Sequence, residues 1–300
     1  MGHGPDPGGR RRPDLPLMSE FNGVGFIGLG NIGKAMALRL AASELPTVVY
    51  DVVPDPVTEL VAAGAKAADS VADLVSRCEV ICVMVRDDDQ VKDVLEQVLG
   101  HTGDGTVVLV HSTVRPDTPA ALAELAAPHG VAVLDAPVSG GPMGATEGTL
   151  AVMVGGEEVA FAKARPVLEI LGSKVVLAGG VGAGTKMKLA RNLLHFVSFT
   201  AATEAQRLAE AAGLDLGALG EVVRHTDAIT GGPGAIMLRK TTAPLAEDDF
   251  WYGVFEHVVA LGEKDLGYAR DLAEELGVEV PLTELASQRL ASGLGLPQRG

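Results

Sequence analysis

The segment Gly28-Leu29-Gly30-Asn31-Ile32-Gly33 follows an apolar run, residues 24–27, and opens an Ala/Leu-rich stretch of helical length, residues 31–42. A G-x-G-x-x-G is a weak signal in a chain with 38 glycines among 300 residues. Its force comes from context, a strand before it and a helix after it. There Gly28 permits a tight turn, Gly30 lets the backbone approach a pyrophosphate, and Gly33 allows helix and strand to pack closely. The helix start, with Leu29, Asn31 and Ile32 between the glycines, offers N–H donors and a partial positive charge to an anion. Asp51 closes the next run, residues 47–50, where an acidic side chain can accept from a ribose 2′-hydroxyl. A 2′-phosphate would meet that negative charge. Val52 and Val53 follow, where a phosphate-binding arginine would be expected, and Lys66 is placed only to help from a distant loop. The expected cofactor is a nicotinamide dinucleotide, NAD in preference to NADP.

Short β-branched runs recur at residues 24–27, 47–50, 80–85, 106–110, 131–134, 151–154 and 175–177, most of them separated by segments of helical length such as 31–42 and 117–127. This alternation predicts a mostly parallel α/β sheet, Rossmann-like and doubly wound, and the first runs are apolar throughout, as strands covered on both faces should be. After Gly184 no strand-like run appears. Residues 185–212 read as one long helix ended by Gly213, and helices continue to about Leu294 with breaks near 231–234 and at Pro281. The expected organisation is a dinucleotide-binding domain over 21–180 and an all-α substrate and dimerisation domain over 181–300. The long helix, about 185–212, joins them. Residues 1–20, rich in Gly, Pro and Arg, are expected to be a disordered tail. Arg10, Arg11 and Arg12 suggest a twin-arginine export signal, but no apolar segment follows them.

Composition removes several function classes. Net charge is −15 and aromatics are 4%, which argues against nucleic acid as a partner and against stacking platforms. No run is long and apolar enough for a membrane span. Cys78 and Cys82 form a C-x-x-x-C in an apolar stretch, neither a zinc pair nor a disulfide framework. They read as two small buried residues, no metal is expected, and the chain is expected to be cytoplasmic.

Three further stretches could carry chemistry. Asp135-Ala136-Pro137-Val138-Ser139-Gly140-Gly141-Pro142-Met143-Gly144-Ala145 follows a strand and offers a hydroxyl and successive N–H groups. Such a turn can form a nest for a carboxylate, and by composition alone it is as readily a plain glycine-rich loop. In the long helix Lys188, Asn192, His195 and Phe199 share one face, while Leu189, Leu193, Phe196 and Val197 mark the apolar side. A polar stripe suits a cleft wall. Taken singly, Lys188 is an ordinary solvated lysine and His195 an ordinary partly buried histidine. Glu263-Lys264-Asp265-Leu266, by itself, is a charged helix face.

Taken together and in this order, these motifs resemble the β-hydroxyacid dehydrogenase family, the group of 3-hydroxyisobutyrate dehydrogenase and tartronate semialdehyde reductase, related to 6-phosphogluconate dehydrogenase. The likeness spans about residues 23–290 and rests on Gly25 to Gly33, Ser112-Thr113, Asp135 to Gly141 with Gly148-Thr149-Leu150, residues 182–192, and Lys264-Asp265-Leu266. The resemblance implies reversible hydride transfer between a 3-hydroxyisobutyrate-like β-hydroxy acid and its semialdehyde or keto acid. It implies that Lys188 is the general acid and base and that Asn192 orients the substrate. Ser139, Gly140 and Gly141 would hold the substrate carboxylate. Thr113 would sit beside the nicotinamide, Met84, Val85 and Gln90 beneath the cofactor, and Lys264 would reach it across a cleft. Burial and the nearby helix start are expected to lower the lysine pKa from its free value of ~10.4. The resemblance also implies a homodimer or homotetramer.

The chain departs from the family pattern at Arg86, often Pro, at Arg191, often Asn, and at His257, often Phe. Each could alter the substrate pocket. Two rival functions remain. Imine reductases share the two-part architecture but usually lack the lysine. A non-catalytic nucleotide-binding scaffold would not need Thr113, Lys188 and Asn192 together.

Overall fold

The computed structural model describes residues 22–103 and 105–297, so the segment expected to be a tail, 1–20, lies outside the described residues. Among the described residues nine strands form one sheet: β1 (Val24–Ile27), β2 (Thr47–Tyr50), β3 (Lys66–Ala67), β4 (Val80–Val83), β5 (Val107–Val110), β6 (Ala132–Asp135), β7 (Val138–Ser139), β8 (Ala151–Gly155) and β9 (Lys174–Gly179). The order is β3-β2-β1-β4-β5-β6-β8-β7, with β9 paired to β8. The six strands from β3 to β6 are parallel, in the 3-2-1-4-5-6 order of the doubly wound dinucleotide fold. β8 then runs antiparallel to β6 and β7.

Side-chain alternation explains why these strands are apolar at every position. Val24, Phe26, Val80, Cys82, Val107 and Leu109 face one core, and Ile27, Ile81, Val83, Val108 and Val110 face the other. The first core is covered by α1 (Asn31–Ala41), α2 (Pro54–Ala62) and α7 (Glu158–Leu171). The second is covered by α3 (Val71–Val75), α4 (Asp88–Leu99) and α5 (Thr118–Ala126). A short α6 (Gly141–Glu147) follows β7. Cys78 and Cys82 are buried free thiols, and burial pushes Cys78 up to about 12. Both behave as small core residues.

Helices follow the sheet: α8 (Ala183–Ala211), α9 (Leu216–Thr230), α10 (Phe250–Leu276) and α11 (Pro281–Gly293). The chain divides into two compact units, one ending at Ala190 and one beginning at Arg191, so α8 contributes its first turns to the former. Within the second unit α10 and α11 pack around Phe255, Val259 and Ala291. The Glu204 carboxylate accepts from the N–H groups of Leu282 (2.7 Å) and Thr283 (3.0 Å) and from the Thr283 hydroxyl (2.9 Å), which caps α11. Burial works to raise the Glu204 pKa, but these donors outweigh it and hold the carboxyl below its usual range. Among the described residues no helix is long and apolar enough to cross a membrane.

Two differences from the sequence reading have local causes. The run over 80–85 stops being strand at Val83, because Met84 and Val85 turn over the Gly28 loop, with Met84 N–H donating to the Ile27 carbonyl at 2.9 Å. The two-residue strands β3 and β7 carry no periodicity to find.

His111 follows β5 and is buried, with Nδ1 2.8 Å from the Ala136 carbonyl and its ring stacked on Phe26. That partner assigns the proton to Nδ1. Burial lowers its pKa to about 4, against the opposing effect of the carbonyl bond. The unfolded chain takes up this proton near pH 6.5 and the folded chain only near 4. Stability is therefore whole above 6.5 and is lost as pH falls toward 4. Urea unfolding at pH 7.5 and 4.5 should show the wild type losing about 2 kcal/mol more than His111→Asn over that interval. Equal losses would remove this role.

Candidate active site

The turn after β1 is shaped by what glycine lacks. Gly28 has φ +95°, and a Cβ there would lie 2.2 Å from the Met84 carbonyl oxygen. A Cβ on Gly33 would lie 2.1 Å from the Gly28 carbonyl oxygen, so α1 can approach β1 only without a side chain at that point. A Cβ on Gly30 would meet no protein atom within 4 Å. The second glycine thus leaves a cradle open to a ligand, at the start of a helix with no side-chain cap. Asn31 and Ile32 form its first turn.

Asp51 stands beside this cradle. Its carboxylate accepts from Leu29 N–H at 2.5 Å and from Val53 N–H at 2.8 Å. Both bonds pin the side chain and leave lone pairs for ligand hydroxyls. A cavity of about 840 Å³ runs from Gly28–Gly33 along Tyr50–Val53 to Met84, Val85, Arg86 and Gln90. It lies at the carboxyl ends of β1, β2 and β4, the crevice where such sheets bind ligands. The open cradle, the pinned carboxylate and the volume fit a dinucleotide.

The β4 end of the cavity is held from β5. The Ser112 hydroxyl donates to the Val85 carbonyl at 2.7 Å and accepts from Val85 N–H at 2.9 Å. Gln90 Oε1 accepts from Arg86 N–H at 3.0 Å, and Gln90 N–H donates to the Asp87 carboxylate at 3.0 Å. That N–H bond first, and Arg86 after it, hold the Asp87 carboxyl below its usual range. Thr113 is exposed beside Ser112 and does not line the cavity.

A second cluster is built on Asp135, fully buried at the end of β6. Its Oδ1 accepts from Gly182 N–H at 2.7 Å and its Oδ2 from Thr185 N–H at 2.6 Å. These bonds tie the start of α8 to the sheet. Burial pushes the Asp135 pKa up, with the two N–H groups opposing. The approach is possible because Gly184 has no side chain: a Cβ there would lie 2.3 Å from the Met153 carbonyl oxygen and 2.7 Å from that of Asp135. One turn on, Lys188 is 8% exposed, and its Nζ donates to the Val138 carbonyl (2.5 Å) and the Ser139 hydroxyl (2.8 Å). Gly140 and Gly141, with φ +136° and +63°, lead from Ser139 into α6.

The structure thus joins Gly28 to Gly33, Asp51, Met84, Val85 and Gln90 around one cavity, and Lys188 with Ser139 beside Gly140 and Gly141. Asn192 and Lys264 belong to the second unit. There Asn192 Oδ1 accepts from the Arg191 guanidinium at 3.3 Å, and Lys264 pairs with Asp265 at 3.2 Å. His195 packs on Phe199, and His257 is exposed. Sequence reasoning did not find the function of Asp135, Gly184 or His111. An acid directly after an apolar run was the available signal for Asp135, but its partners lie 47 and 50 residues later.

Removing the Asp135 carboxylate leaves two buried N–H groups unmatched. Asp135→Ala should cost about 2–4 kcal/mol in chemical denaturation. Asp135→Asn keeps one acceptor and should cost less. A loss under 0.5 kcal/mol for the alanine variant would show the clamp to be dispensable.

Comparison with known proteins identifies the family. Residues 23–180 match the model of the NAD-binding domain of 6-phosphogluconate dehydrogenase, and 182–296 the model of the NAD-binding region of NADP-dependent 3-hydroxyisobutyrate dehydrogenase. An uncharacterized oxidoreductase of Mycobacterium tuberculosis is 50% identical over 91% of this chain and 94% of its own. An NAD-dependent L-serine dehydrogenase of Pseudomonas aeruginosa is 36% identical over 88% of this chain and 89% of its own. The crystal structure of an oxidoreductase from Mycobacterium avium superposes with a TM-score of 0.90 at 47% identity, covering 93% of this chain and 100% of that one. Matched in both of its parts, and with such relatives along nearly its whole length, the chain belongs to the β-hydroxyacid dehydrogenase family and carries its nicotinamide dinucleotide-binding domain.

Proposed function

We propose that the protein catalyses reversible NAD-dependent hydride transfer between a small β-hydroxy acid and its semialdehyde or keto acid, with Lys188 as general acid and base. The observation that carries this is the buried Lys188 Nζ, hydrogen-bonded to the Ser139 hydroxyl at the head of a glycine turn. The nicotinamide, when bound, accepts or returns the hydride. The chain places the reactants and moves the proton. As a neutral amine Lys188 takes the hydroxyl proton during oxidation. As an ammonium it gives that proton to the forming alkoxide during reduction. Ser139 and the N–H groups of Gly140 and Gly141 hold the substrate carboxylate, and Asn192 orients its hydroxyl. The family pattern further assigns Thr113 to the nicotinamide and Lys264 to the cofactor.

Substrates of the 3-hydroxyisobutyrate and L-serine kind fit this reading. Both are β-hydroxy acids with one carboxylate for the turn and one hydroxyl for the lysine. NAD preference is supported by Asp51, which holds a negative charge where a 2′-phosphate would lie, with exposed Val52 beside it. Imine reductases usually lack this lysine, so Lys188 counts against the imine reading. Self-association into a homodimer or homotetramer is supported by large apolar side chains exposed in the second unit, among them Leu193, Phe196, Phe199 and Ile229.

Two measurements test the reading. Lys188→Ala should lose at least ~10²-fold in turnover on β-hydroxy acids while NADH affinity, read by fluorescence, changes little. Unaltered turnover rejects the lysine. Replacing Asp51-Val52 with Asn-Arg should shift kcat/KM toward NADP, because repulsion is removed and a forked phosphate donor is added. A wild type that already prefers NADP overturns the charge argument.

A further inference from the structure

The cavity has an electrostatic problem that the glycine turn only partly solves. A dinucleotide brings two phosphate charges to a protein of net charge −15. Among the described residues lining the cavity, Asp51 and Asp93 are anions and Arg86 is the one cation. Arg86 is also held in place. Its backbone N–H donates to Gln90 Oε1 at 3.0 Å, and its Nε donates to Asp87 Oδ2 at 2.9 Å. Asp87 is itself fixed as the N-cap of α4, its other oxygen accepting from Gln90 N–H at 3.0 Å. The side chain is nonetheless 79% exposed. One edge of the guanidinium is thus anchored, and the Nη edge remains for an oxyanion. An exposed pair of this kind contributes little by itself, so a phosphate can share the guanidinium at small cost.

We propose that Arg86 is a cofactor-binding residue: it contacts the phosphates of the dinucleotide and supplies the full positive charge that the helix start lacks. This rests on the reading that the cavity takes the dinucleotide, and it adds an anion contact from the β4–α4 turn, next to the Gly28–Gly33 turn because β4 pairs with β1.

Calorimetric titrations of wild type, R86Q and R86K with NADH, ADP-ribose, ADP and adenosine test it. In low salt R86Q should bind NADH, ADP-ribose and ADP about five- to tenfold more weakly, with adenosine unchanged. The gap should shrink as salt rises. R86K, which keeps the charge without the fork, should fall between the two. Equal weakening for adenosine would assign Arg86 to the base and overturn the proposal. So would wild-type affinity for ADP in R86Q. If the wild type binds NADH, those results refute the Arg86 contact alone; a wild type that binds neither NADH nor NADPH refutes the cavity reading itself, and the proposal with it.

Discussion

A buried carboxylate holding a helix start organises the cluster of Asp135, Ser139 and Lys188. Asp135 leaves water entirely, which is unfavourable for a charge. What partly offsets this is two short N–H bonds and the positive end of the 29-residue helix α8. Once Gly182 and Thr185 are fixed to β6, the rise and rotation of the helix set every side chain that follows. Lys188 comes three residues after Thr185, on nearly the same face, and so turns back toward the strand-end segment that begins with Asp135. Its amine meets Val138 and Ser139 there. The lysine is positioned by the sheet through the helix, and the tolerance is small because Gly184 already sits against the carbonyls of Met153 and Asp135.

The same device recurs. Asp51 satisfies Leu29 and Val53, Asp87 satisfies Gln90, and Glu204 satisfies Leu282 and Thr283. Several acids of this acidic chain are therefore structural ligands of backbone N–H groups. Environment separates their titration. The donors prevail at Asp87 and Glu204, whose pKa values fall, while burial prevails at Asp135, whose pKa rises. Identical chemistry gives opposite signs because desolvation at Asp135 is the larger effect.

What was legible in the sequence was whatever repeats locally. Two-sided burial writes continuous apolar runs, so β1, β2, β4 and β5 were readable to within two residues, and the glycine turn was readable because it sits between a strand and a helix. Pairings distant in sequence were not readable. Nothing near Asp135 announces Thr185, and nothing near Ser112 announces that it braces Val85. Glycine also misled. Read as punctuation, Gly184 placed the helix start at 185, whereas α8 begins at Ala183 and Gly184 lies inside it. It is glycine for lack of room, and lack of room is a property of the folded neighbours.

An acidic protein that takes an anionic cofactor has to solve the conflict at short range. Beyond a screening length of ~8 Å in physiological salt, distant carboxylates weigh little. Within that distance the balance is set by a few groups whose positions the fold controls. The start of α1, with no side-chain cap, offers donors and only a partial positive charge. Asp51 accepts from Leu29 and Val53 and also lines the cavity. Donors at the start of α1 and one carboxylate at the end of β2 therefore line the same cavity, and at that range they, rather than the net charge of −15, act on an anion placed there.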